Sequence, residues 1–161
     1  MLLSKRSFLL FALALGACGF TPVYGPGGGA QTLPGAIAIT APDDRDSYEL
    51  VKRLEERLGR QDGARYTLDY QITTREEGVG VTPDQEIKRV QVRGAVTYSV
   101  TELATGKVVD KGSVSTFTSY SAEGSTVSTS STERDAHRRL MVALADLMST
   151  RLIATAPDWL A

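Results

Sequence analysis

Two hydrophobic periods alternate along the chain, and the switches between them mark out its elements. Near the N-terminus an unbroken apolar run, residues 8–15, follows Lys5 and Arg6 and ends in the small residues Gly16 and Ala17. That is the layout of a secretory signal. Residues 36–40 read Ala-Ile-Ala-Ile-Thr, a short strand. Leu50, Val51, Leu54 and Leu58 then recur at helical spacing, while Lys52, Arg53, Glu55, Glu56 and Arg57 fill the other positions. This predicts a helix over 47–58 with one apolar stripe. Asp46 is its expected N-cap, with Glu49 as the reciprocal partner, and Gly59 ends it.

Period two follows. Tyr66, Leu68, Tyr70 and Ile72 alternate with Thr67, Asp69, Gln71 and Thr73. Val90, Val92, Val96, Tyr98 and Val100 alternate with Arg89, Gln91, Arg93, Thr97 and Ser99. Each run predicts a strand with one dry and one wet face. Ala104-Thr105-Gly106-Lys107 turns the chain into a fourth strand over 108–120, where Gly112 suggests a bulge, since Val114 and Phe117 cannot both face inward in a regular strand. Residues 121–131, rich in Ser, Thr, Gly and Ala, read as a polar loop. Thr132 with Asp135 is the expected N-cap of a long helix to about Leu152. Its stripe is Ala136, Leu140, Ala143, Leu144, Leu147, Met148 and Leu152. The order strand-helix-strand-strand-strand-helix predicts an α+β fold, with two helices packed on one face of a mixed four-stranded sheet. The opposite sheet face is expected to be polar and open.

Composition adds the domain count. With 161 residues, 42% hydrophobic and 23% charged, one globular domain is expected. The N-terminal apolar run is shorter than the roughly 20 helical residues that cross a hydrocarbon core, and no later segment is expected to span either. Leu15-Gly16-Ala17-Cys18 resembles the lipobox cut by the lipoprotein signal peptidase, which would leave Cys18 as the acylated first residue. Cys18 is the only cysteine, so it has no disulfide partner within the chain. Two or more acyl chains on it would anchor the protein stably. In lipoproteins of the kind this resembles, Asp after the cysteine is the inner-membrane retention signal; Gly19 favours delivery to the outer membrane. The expected organisation is a signal peptide at 1–17, a lipidated Gly/Pro-rich tether at 18–35, and a single α/β sandwich domain at 36–161.

Charge and candidate chemistry exclude more than they add. Without residues 1–17 the formal charge falls from −1 to −3, because Lys5 and Arg6 leave with no acid, and a mildly acidic domain gives no support to nucleic-acid binding. Gly27-Gly28-Gly29 lacks the preceding strand and the following Gly-Lys-Ser/Thr of a phosphate cradle. His137 is the only histidine, too little for a usual zinc site, and is expected to be solvated on the last helix. Asp135 and His137 stand two apart on one helix, facing different ways, and no Gly-x-Ser-x-Gly elbow is present. Asp43, Asp44 and Asp46 precede a helix, and Glu76 and Glu77 are expected in a loop, positions that capping and solvation explain. No catalytic residue, metal or cofactor is expected, and the protein is not expected to be an enzyme.

Cys18-Gly19-Phe20-Thr21-Pro22-Val23-Tyr24-Gly25 resembles the start of mature lipopolysaccharide-assembly lipoproteins of the LptE family, which commonly read Cys-Gly-Phe-x-Pro-Leu/Val-Tyr. The resemblance continues in the Leu-rich helix near 47–58, in Tyr66-x-Leu68-x-Tyr70, and in Glu133-Arg134-Asp135-Ala136 before the last helix. It implies an outer-membrane lipoprotein that plugs the large LptD β-barrel, helps it assemble, and takes part in lipopolysaccharide transport and insertion at the cell surface. The implied partners are LptD, lipopolysaccharide and outer-membrane lipid held through acylated Cys18; the implied location is periplasm-facing and within the barrel lumen. The segment 121–131 and the short tail after Leu152 depart from the family, so contacts made there are not carried over. An accessory or pilotin subunit of another envelope machine is the competing class. Lys88, Arg89 and Arg93, at the start and on the wet face of one strand, are the candidate lipopolysaccharide contacts, because guanidinium groups grip phosphate bidentately. Solubilising charges on an exposed strand are the alternative for them.

Overall fold

The computed structural model describes residues 33–81, 87–122 and 126–160, without the side chains of 80, 81, 87, 88 and 126–128. The elements are β1 (Ile37–Ile39), α1 (Arg45–Leu58), β2 (Tyr66–Val81), β3 (Ile87–Glu102), β4 (Val108–Ser121) and α2 (Thr126–Trp159). This is the α+β order that the two periodicities predict. The sheet runs β1-β2-β3-β4, with β1 parallel to β2 and the other pairs antiparallel. A parallel pair needs a crossover connection, and α1 supplies it.

One side of the sheet carries the core. Tyr66, Leu68, Val92, Val96, Tyr98 and Val100 are buried there and form one cluster with Leu50, Leu54 and Leu58 of α1 and Leu140, Leu144, Met148 and Leu152 of α2. Gly94 sits inward between Val92 and Val96, and a Cβ on it would lie 2.9 Å from Leu140 Cδ2 and 3.0 Å from Leu144 Cδ1. The missing side chain is therefore what lets α2 approach β3 so closely. Arg53 fastens α1 to α2, donating from Nε to Asp146 Oδ1 at 3.0 Å and from Nη2 to Oδ2 at 3.2 Å.

Several sequence expectations move. The cap of α1 is Asp44, not Asp46. The Ser47 amide donates to Asp44 Oδ1 at 2.7 Å and the Asp44 amide donates to Ser47 Oγ at 2.9 Å, so Ser47 and not Glu49 closes the capping box. The hydrogen bonds from Ser47 hold the Asp44 carboxyl below the usual carboxylate range. Glu76 and Glu77 lie within β2, not in a loop. The β3–β4 irregularity falls at Val109, where the register steps from Val100↔Asp110 to Thr101↔Val108. Gly112 pairs regularly with Tyr98. Its role is spatial, because a Cβ there would lie 2.7 Å from the Tyr98 hydroxyl. With no bulge at 112, Val114 faces the core and Phe117 turns to the open side, 60% exposed.

The second helix is longer at both ends than its stripe suggests. It starts at Thr126, so Thr132 is no cap, and its hydroxyl donates back to the Thr129 carbonyl at 2.9 Å. It runs on to Trp159 with Pro157 in its last turn. Trp159 packs edge-on against Tyr66, centroids 5.1 Å apart, and Tyr66 Oη donates to the Trp159 carbonyl at 3.2 Å. Leu147 lies outside the buried stripe, and Met141, Ala145 and Ala156 lie inside it. By length and composition residues Thr129–Trp159 would suffice to cross a membrane, against expectation, but half of the most apolar window is buried inside the fold. That suits a core helix.

The expected signal peptide, Cys18 and most of the expected tether lie outside the described residues. Of the tether's last residues, Leu33 is buried in the core, and the Gly35 amide donates to the Leu58 carbonyl at 3.1 Å.

Candidate functional site

No described element covers the second face of the sheet. Strand alternation brings Gln71, Thr73, Thr97, Ser113 and Ser115 to it, a hydroxyl- and amide-rich surface. Toward the β2–β3 hairpin its character changes. Arg75 is directly opposite Arg93, and Arg93 is opposite Phe117, so two cations and an exposed ring form a row across three strands. Glu77 sits between the cations, 3.4 Å from Arg75 Nε and 3.4 Å from Arg93 Nε. Thr73, Ala95 and Ser115 border this row in a shallow depression of about 700 Å³.

The sequence candidates are placed as follows. Arg93 is in the row and Arg89 is exposed on the same face, but four residues of strand separate them by about 13 Å. The nearer partner of Arg93 is Arg75, at the roughly 5 Å of directly opposed strand residues. Sequence reasoning missed Arg75 because it ended the strand at 73; continuing the alternation through Arg75 and Glu77 would have found it. The Lys88 side chain lies outside the described residues.

A second cluster lies on the helix side of the same hairpin. His137 is not solvated as expected: its side chain is 22% exposed. Nδ1 lies 2.9 Å from Asp46 Oδ2 in the first turn of α1, and Nε2 lies 2.9 Å from Glu76 Oε1 of β2. Tyr120 Oη of β4 donates to Glu76 Oε2 at 3.1 Å. Burial of the ring acts to lower the imidazole pKa, but the hydrogen bonds to Glu76 and Asp46 and their charges outweigh it, and the pKa is raised. Burial and then the Glu76 carboxylate push the Tyr120 phenol up to about 12. Among the described residues no group of three His, Cys, Asp or Glu side chains is arranged to hold a metal ion. On the outer side of α2, Asp135 is paired with Arg138 and Arg139, so it is engaged away from His137.

The family model of LptE, described as lipopolysaccharide-assembly, matches residues 35–152. No curated protein sequence matches the chain. Among solved structures, a chain described as a lipoprotein from Caulobacter crescentus CB15 is similar, with a TM-score of 0.63 and 22% identity over 78% of this chain and 92% of its own. Rare lipoprotein B from Shewanella oneidensis gives 0.59 at 10% identity, over 78% of this chain and 98% of its own. A minor lipoprotein from Acinetobacter baumannii gives 0.53 at 18%, over 74% and 88%. At these identities the structural likeness is one of fold.

Proposed function

The chain belongs to the LptE lipopolysaccharide-assembly family, and from that premise we propose that it plugs and helps assemble an LptD β-barrel and takes part in placing lipopolysaccharide at the cell surface. The match over residues 35–152 carries the reading. The fold supports it through the bare sheet face, whose hydroxyls and amides suit contact with a polar barrel wall rather than with lipid. The role is one of binding and scaffolding and uses no catalytic group.

In this reading acylated Cys18 holds the chain at the periplasmic side of the outer membrane while the domain occupies the lumen. The lipid phosphates of lipopolysaccharide meet the basic end of the open face. Arg93 is the central contact there, with Arg75 beside it and Arg89 further along the strand. Glu77 already occupies both Arg75 and Arg93, so a phosphate must displace a carboxylate, and binding is strongly salt-dependent.

Depleting the protein tests the function: surface lipopolysaccharide falls, and normal surface lipopolysaccharide after full depletion contradicts it. Arg89→Glu with Arg93→Glu tests the contact. Loss of lipopolysaccharide binding supports it, and unchanged binding in a folded double variant removes it. Loss of barrel assembly alone transfers these residues to the protein partner.

A further inference from the structure

The cluster at His137 joins four elements at one end of the fold, at a distance in sequence from the Arg53–Asp146 tie between the helices. Asp46 belongs to the first turn of α1, Glu76 to the far half of β2, Tyr120 to the end of β4, and His137 to α2. The location gives the contacts leverage. β1 pairs with β2 only from Tyr66 to Leu68, so beyond that point β2 has a strand neighbour on one edge alone. The β2–β3 ribbon runs on from Glu76 toward its turn, and its register shifts twice between Gly78 and Val81. Among the described residues Glu76 bonds that ribbon to α2, through His137.

Hydrogen-bond stoichiometry fixes the ring's state in this arrangement. A neutral imidazole carries one N–H and one lone pair, whereas the imidazolium carries two N–H groups. Both ring nitrogens lie 2.9 Å from a carboxylate oxygen. Only the cation donates to both; in the neutral ring one lone pair would face a carboxylate oxygen at hydrogen-bond distance.

We propose that His137 is a proton-operated clasp: protonated, it binds the N-terminus of α1 and the base of the β2–β3 hairpin to α2, and on losing its proton it releases the hairpin, whose Glu76 carboxylate is the more exposed of the two partners, so that this end of the fold loosens as the surrounding pH rises. The surroundings are consistent with that sense. α1 presents Asp46, Arg45 and Glu49 to the cleft around the ring, and α2 itself presents Glu133, Arg134 and Arg138. β2 presents Glu76 and β4 presents Tyr120. Val92 of β3, opposite Glu76, brings no charge. The Tyr120 phenol, pushed up to about 12, keeps its proton on Glu76 throughout the titration of the histidine. The raised imidazole pKa agrees with two carboxylates gripping the ring. The clasp does not depend on the proposed lipopolysaccharide contact.

Because the chain has a single histidine, one imidazole resonance reports the switch. The experiment is an NMR titration of the whole chain in detergent micelles, with amide exchange of residues 74–79 and 87–92 corrected for intrinsic pH dependence. The clasp predicts an imidazole midpoint above the ordinary 6.5. It also predicts that amide exchange in the hairpin base speeds up about tenfold across that midpoint, as one hydrogen bond to a charged group is lost. Glu76→Gln should lower the midpoint, and His137→Gln should leave the hairpin fast-exchanging at every pH. A midpoint at or below 6.5 overturns the proposal, as does hairpin exchange that ignores the titration. An equal pH response in His137→Gln overturns it too.

Discussion

Replacing Gly94 by alanine probes the close approach of α2 to the sheet. The added Cβ would meet Leu140 Cδ2 at 2.9 Å, Leu144 Cδ1 at 3.0 Å and Leu140 Cγ at 3.1 Å. Both leucines are fully buried, so neither can swing into solvent to make room. Overpacking of this kind costs about 1–3 kcal/mol. Exchanging a strand glycine for alanine returns about 0.5–1 kcal/mol of backbone entropy. The net expectation is a loss of about 1–2 kcal/mol from these two opposing effects. Leu140→Ala alone should cost about 2–5 kcal/mol by leaving a cavity, yet it removes two of the three clashing atoms. Gly94→Ala should therefore be neutral or stabilising in the Leu140→Ala background, a coupling of about 1–2 kcal/mol in the double-mutant cycle. Trp159 is the only tryptophan and is 9% exposed, so its fluorescence reports unfolding in urea, with stability read from the midpoint at constant slope. An unchanged or raised midpoint in Gly94→Ala, or the same penalty with and without Leu140, would refute the close-packing account.

The capping box makes Asp44→Ala cost about 1 kcal/mol; because Asp46 also holds His137, the comparison is made in a His137→Gln background, where Asp46→Ala should cost less than Asp44→Ala, and the reverse order of urea midpoints there would restore Asp46 as the cap. Arg53→Ala opens the α1–α2 tie at a half-exposed pair, so its penalty should be smaller than that of Gly94→Ala and should shrink in high salt. A raised folded-state histidine pKa gives stability that is complete below about 6.5 and lost as pH rises through the raised value. The thermal midpoint should accordingly drop over that window in the native chain and stay flat in His137→Gln; matching curves would deny the linkage. Cys18→Ala should block lipid attachment and leave an unprocessed or mislocalised precursor, a prediction undone if labelled palmitate still enters the variant.

The parts of the fold legible in the sequence are those where one strong period governs. The stripe of Leu50, Leu54 and Leu58 and the alternations of β2 and β3 depend on burial against a flat partner, and burial is what hydrophobic spacing records. Ends were legible only in part, because they depend on single hydrogen bonds. Asp43, Asp44 and Asp46 are equivalent as letters, and Ser47 selects Asp44 by bonding it in both directions. Residues 126–131 look like a loop by propensity, yet they continue a helix whose next turns are anchored by Ala136 and Leu140. Gly112 signalled an irregularity correctly as an exceptional position but for the wrong reason: the exception is the Tyr98 hydroxyl lying over it. The His137 cluster was invisible because its members are 17 to 91 residues apart and meet only once α1, β2, β4 and α2 are packed together. Arg75 was hidden by a smaller error, the premature end given to β2.

Extraction of native outer membranes in mild detergent, with the chain captured and the mass of what accompanies it determined, tests the central claim most directly. A one-to-one complex with a much larger outer-membrane β-barrel is the expected result. Recovery of the lipidated protein only as a free monomer would contradict it.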